Sequence, residues 1–139
     1  MTRSLAFVSV LFIHCLVLGC KSNEPISIPL KCTLIYPGVY EDDYVTTDKF
    51  GKKETIHPKL LFEGAYIGGW NKCIEEVKQY GILSIAITEN SLLDPFQGYG
   101  YSIEGYNEGY LRCRALLLSS ALRYGIKETE KQVREYKNP

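Results

Sequence analysis

The residues of this chain with the most chemistry to offer are its cysteines, at positions 15, 20, 32, 73 and 113. A thiol can carry an acyl group, pair with a second thiol, ligate a metal or, with a base beside it, act as a nucleophile. Each use needs different neighbours. Metal binding needs ligands at short fixed spacing, and no two of these cysteines have it, so neither a metal nor a cofactor is expected. Nucleophilic catalysis needs a base. The two histidines are His14, inside an apolar run, and His57, in a polar stretch before Pro58. Cys32, Cys73 and Cys113 all fall on apolar stripes, where a thiol is normally inert. There is no glycine-rich strand-to-helix phosphate loop, and Glu75 and Glu76 read as a solvated helix face. No catalytic residue is expected.

Cys20 has a different setting. Met1-Thr2-Arg3-Ser4 carries one positive charge, and Leu5 to Leu18 is almost wholly apolar. A bilayer core needs about 20 helical residues, so this run is too short to span comfortably and matches the apolar core of a secretory signal. It ends in Leu16-Val17-Leu18-Gly19-Cys20, followed by the polar string Lys21-Ser22-Asn23-Glu24-Pro25. That ending resembles a bacterial lipobox, with Val17 where Leu is more usual. In lipoproteins with this motif the cysteine thiol is joined to diacylglycerol, and a dedicated peptidase cuts just before it. The resemblance implies that residues 1–19 are a signal peptide and that Cys20 is the lipidation site. Residues 20–27 are then a polar tether, and fatty acyl chains of the palmitate type hold the protein in the cell envelope membrane. The aspartate that commonly retains such proteins on an inner membrane is absent at Lys21 and Ser22, which implies the outer membrane if the host has one. The other reading is an ordinary secretory signal, because Val17 and Gly19 also satisfy the small-residue rule of the general peptidase. A secreted form would keep Cys20, Cys32, Cys73 and Cys113, enough for two bridges with three connectivities.

The remainder, residues 28–139, has room for one globular domain. The whole chain carries 16 basic and 16 acidic side chains, with 45% hydrophobic and 12% aromatic residues. Zero net charge removes the electrostatic footprint of a nucleic-acid binder, and the apolar content exceeds that of a disordered chain. The expected class is α+β, a small single domain with two duplicated amphipathic helices at about 63–80 and 104–124. Its clearest feature is an internal repeat. Tyr66-Ile67-Gly68-Gly69-Trp70-Asn71-Lys72-Cys73 aligns with Tyr106-Asn107-Glu108-Gly109-Tyr110-Leu111-Arg112-Cys113, sharing Tyr-x-x-Gly-aromatic-x-basic-Cys. Each copy ends in Tyr-Gly-Ile, and the helical spacing of Tyr66, Trp70, Cys73, Val77 and Tyr80 defines a buried stripe. Gly81 and Gly125 are placed to close the two helices with positive φ. The alternation from Ile28 to Tyr36 predicts an edge strand, Ile82 to Thr88 a buried strand, residues 40–58 an exposed connection, and Lys127 to Tyr136 an exposed helix.

Recurrent glycines inside both helical copies cost about 1 kcal/mol each relative to Ala, and point to close approach of the two helices. If the copies pack about a pseudo-two-fold axis, Cys73 meets Cys113. A disulfide there would close a loop of about 40 residues and contribute about 4 kcal/mol in the chain-entropy account. Two buried, unlinked thiols are the equal alternative. Four loop tyrosines, Tyr40, Tyr44, Tyr99 and Tyr101, offer stacking area with a hydrogen-bonding tip, as at contact surfaces for proteins or glycans. The function these readings suggest is non-enzymatic: an envelope lipoprotein with a structural or binding role, whose partners are the membrane and an envelope protein or glycan. The alternative is a secreted, disulfide-bonded module that binds a peptide or glycan through those tyrosines.

Overall fold

A proline at the first helical position, preset for helix and needing no hydrogen-bonded N–H, opens the first long apolar-periodic run of the domain. This is helix α1, Pro58–Tyr80. Its counterpart in the repeat is α3, Gly100–Tyr124. Both contain the helices expected from periodicity and extend a few residues further at the N-terminal end. In the computed structural model, which describes residues 25–34, 41–87, 91–94 and 100–137, these two helices form the centre of a small α+β domain.

The glycines decide how the two helices meet. A Cβ built on Gly69 would overlap the Tyr106 carbonyl, one on Gly109 the Tyr66 carbonyl, and one on Gly105 the Phe62 carbonyl. Contacts therefore advance together along both helices, Phe62 with Gly105 and Tyr66 with Gly109, so the helices run parallel. Backbone touches backbone only because side chains are missing at the crossing, which permits Cα–H···O contacts.

Parallel helices require a connection that travels back. The Gly81 N–H bonds the Val77 carbonyl, and Gly81 at φ +84° turns the chain into a second helix, α2, Ile82–Ile87. The chain then descends along the pair: the Ser91 hydroxyl donates to Glu76, and further down Leu93 exchanges two hydrogen bonds with the Asn107 amide. Gly125 at φ +92° closes α3, and α4, Ile126–Glu135, returns across the others. Thr129 and Val133 on α4 are fully buried, and Glu130 accepts from the Ile82 N–H at the start of α2.

Two short strands, β1 (Tyr44–Thr47) and β2 (Lys53–Ile56), pair antiparallel with Tyr44 opposite Ile56. Their turn is fixed by Asp48, whose carboxylate accepts from the Phe50 and Lys52 N–H groups. A segment without helix or strand at residues 25–34 straps the helices. Ile28 and Leu30 are buried, the Leu30 carbonyl accepts from the Trp70 indole N–H at 2.9 Å, and the Gln132 amide holds Ile26 and Ile28.

Three expectations change. Residues 28–34 of the first expected strand pair with no strand among the described residues; besides a bond from the Leu30 N–H to the Ile28 carbonyl, they bond side chains of α1 and α4, and residues 35–36 lie outside the described residues. The expected strand at Ile82 to Thr88 is helix over Ile82–Ile87, because its isoleucines at 82 and 85 bury one helical face. The stretch 40–58 contains the hairpin rather than an irregular connection. The expected short C-terminal helix is present as α4, exposed over most of its length, with Thr129, Glu130 and Val133 tying it to the rest.

Candidate functional site

The repeat brings Cys73 and Cys113 together. Each follows its crossing glycine by four residues, one helical turn, and so lies on the same face as that glycine. Both residues are 0% exposed. Burial first, and the neighbouring Cys73 second, push the Cys113 thiol far above its ordinary value. Cys32 on the strap is half-buried against the same core, close enough to Cys113 to interact with it electrostatically, and burial raises its thiol too. All three are free thiols in the structure. Tyr66 lies beside them, fully buried, its hydroxyl without a hydrogen-bond partner among the described residues.

Further along the crossing stands a polar group that periodicity assigned to solvent. Glu76 is only 8% exposed. It accepts from the Tyr110 hydroxyl at 2.5 Å and from the Ser91 hydroxyl at 2.8 Å, with Lys72 one turn away at 3.6 Å. The sequence did hold a signal for this. Glu76 follows Cys73 by three residues and so falls on the stripe of Tyr66, Trp70 and Cys73, while Glu75 does not. The group binds α1, α3 and the returning chain to one another, and a buried carboxylate with three polar partners is satisfied rather than poised.

The surface candidates are divided. Tyr40 and Tyr99, and the lipidation candidate Cys20, lie outside the described residues. Tyr44 and Tyr101 are brought to one face. The Tyr101 hydroxyl donates to Glu41 at 2.5 Å, and this bond pushes the Tyr101 phenol up to about 12, with Tyr44 and Glu104 near enough to add to the effect. Next to Tyr44, at the end of β2, His57 Nδ1 lies 2.7 Å from Asp43. The result is a partly exposed patch of two phenols, an imidazole and several carboxylates. The sequence reading missed Glu41 and Asp43, which lie outside any periodic element.

His57 also stands away from the buried thiols. It precedes the first turn of α1, and Cys73 follows sixteen residues later, about 24 Å along the axis at 1.5 Å per residue. A Cys–His pair of either Cys73 or Cys113 would need hydrogen-bond reach. Among the described residues there is no cluster of three or more His, Cys, Asp or Glu able to hold a metal ion, and no helix long and apolar enough to cross a membrane. No protein-family model, curated protein or solved structure matches the chain.

Proposed function

We propose that the chain is a lipid-anchored cell-envelope lipoprotein, acylated at Cys20, whose domain plays a structural or binding role without enzymatic activity. The observation that carries this reading is the placement of Cys20. It follows an apolar run of 14 residues and a small Gly19, and it precedes a polar string. Such an anchor suits a domain held close behind it. Gln132 holds the Ile26 carbonyl at 2.7 Å, and Ile26 lies six residues beyond Cys20. At about 3.5 Å per residue they span at most about 20 Å, which would keep the domain close to the membrane. Two or three acyl chains give stable attachment where one is marginal.

The binding part of the proposal rests on the patch around Tyr44 and Tyr101. Phenols flanked by Glu41, Asp43 and His57 present flat apolar area beside hydrogen-bonding groups, which suits a peptide or glycan of another envelope component. The test of the anchor is metabolic labelling with an alkyne fatty acid in a bacterial host, with mass analysis of the N-terminal peptide. Label at Cys20, lost in Cys20→Ser and with the precursor accumulating under globomycin, is the expected result. Unlabelled protein released to the medium, cut before an unmodified Cys20, would establish the secreted alternative instead.

A further inference from the structure

Three thiols in one small core allow three pairings, and the fold distinguishes among them. Cys73 and Cys113 sit at equivalent positions of two parallel helices, one turn beyond glycines whose backbones touch the opposite helix. Each glycine removes a side chain that would hold the helices apart. The next inward position on each helix, one turn beyond that close approach, is a cysteine. Both thiols belong to the one buried core cluster, and neither is exposed. Cys32 approaches from the strap, half-exposed, on a segment without a helix or strand to fix its direction.

We infer that Cys73 and Cys113 are the disulfide pair of this domain, joined when the chain folds in the presence of a disulfide oxidant, and that Cys32 stays a thiol. The step is two successive exchanges. The thiolate of one cysteine attacks a sulfur of the oxidant R–S–S–R, forming a mixed disulfide and releasing R–S⁻. The thiolate of the other attacks the protein sulfur of that mixed disulfide, forming the Cys73–Cys113 bond and releasing the second R–S⁻. The two protons of the cysteines end on the two R–SH, so the oxidant is reduced by the two electrons that the protein loses. Burial disfavours the Cys113 thiolate, so exchange belongs to the folding chain rather than to the closed domain. The bond once formed is shielded by the same burial from dissolved reductant. This pairing does not depend on the lipid anchor.

The experiment is redox refolding of the full chain with Cys15→Ser and Cys20→Ser, so that only the three domain thiols compete. Protein unfolded in urea is diluted into a mixture of oxidised and reduced glutathione, quenched with an alkylating agent, and mapped by mass spectrometry. The expected product has lost two hydrogens, links the Cys73 and Cys113 peptides, and carries one alkyl group at Cys32. Adding Cys32→Ser leaves the link unchanged, and adding Cys73→Ser abolishes it. The oxidised form should also unfold at a higher urea midpoint than the reduced one. A link involving Cys32, or three alkylated thiols in protein that has regained its helical circular dichroism, would overturn the inference.

Discussion

Gly69 and Gly109 each receive the backbone carbonyl of the tyrosine three residues before the other: Tyr106 lies against Gly69, and Tyr66 against Gly109. This reciprocity is what a pseudo-two-fold axis between two copies of one motif requires. It holds at the glycines and at the cysteines one turn on, and it breaks at the preceding turn. There Gly105 takes the Phe62 carbonyl while the equivalent position in α1 is Ala65. The repeat is therefore closest to symmetric where the helices are closest.

A methyl group at either crossing glycine should therefore be costly, and one elsewhere should not. Gly69→Ala and Gly109→Ala each place Cβ into a backbone carbonyl that cannot rotate away, so the helices must separate. A loss of about 1–3 kcal/mol, or more, is expected from overpacking, well above the helix-propensity gain of Ala. Gly64→Ala is the control, because a Cβ there meets nothing within 4 Å. It should stabilise by about 0.5–1 kcal/mol. Urea denaturation followed by circular dichroism checks all three, and similar midpoints for Gly64→Ala and Gly69→Ala would contradict the crossing.

The two buried tyrosines of the repeat should respond oppositely to loss of their hydroxyls. Among the described residues Tyr66 has no partner for its hydroxyl, whereas Tyr110 donates to the buried Glu76 carboxylate at 2.5 Å. Removing an unsatisfied buried polar group relieves its desolvation cost, so Tyr66→Phe should be neutral or stabilising by up to about 1 kcal/mol. Removing a donor from a buried carboxylate leaves that charge under-satisfied, so Tyr110→Phe should cost about 2 kcal/mol. The difference in urea midpoint between the two variants is the measurement.

Much of the centre of the fold was legible because helical periodicity and duplication are local signals. Tyr66, Gly69, Trp70, Cys73 and their partners recur at fixed spacing, and Gly81 and Gly125 mark the ends by needing positive φ. What could not be read depends on partners far away in sequence. Ile82 to Ile87 is rich in β-branched residues, and it is helical because Glu130, 48 residues on, accepts from its first N–H while Ile82 and Ile85 bury one face. The strap at 25–34 alternates as a strand does, yet its bonds go to Trp70 and Gln132, which no alternation encodes. Tyr80 was expected on the buried stripe of α1 and is 68% exposed, since the helix outruns its partner there. Of the candidate site residues, Cys73 with Cys113 followed from the repeat. The approach of Tyr101 to Glu41 spans 60 residues of sequence and left no local mark.

Gln132 should prove the fastening of the strap. Its amide donates to the Ile26 carbonyl and accepts from the Ile28 N–H, joining positions more than 100 residues apart. Gln132→Ala removes both bonds and should cost about 1–2 kcal/mol, at about 1 kcal/mol per neutral hydrogen bond. The local effect should be larger than the global one. Hydrogen exchange at Ile28 should accelerate toward the open-chain rate while amides in the middle of α1 and α3 stay protected. Uniform loss of protection across α1 would mean that the strap is part of the global folding unit rather than a separately opening one.

The Tyr101–Glu41 bond makes a statement about pH. The bond favours the neutral phenol and raises the Tyr101 ionisation from about 10 to about 12. Because the folded value lies above the unfolded one, the folded state holds its proton longer. The contribution to stability is fully present below pH 10 and is lost as pH rises from 10 through about 12. Glu41→Gln removes the negative charge that opposes the phenolate, so the half-point of Tyr101 should fall back toward 10. With ¹³Cζ-labelled tyrosine, the Tyr101 resonance at pH 11 should be mostly that of the phenol in the parent and mostly that of the phenolate in the variant. An unchanged Tyr101 half-point in Glu41→Gln would remove the hydrogen bond as its cause, and with it the contact that joins α3 to the segment leading into β1.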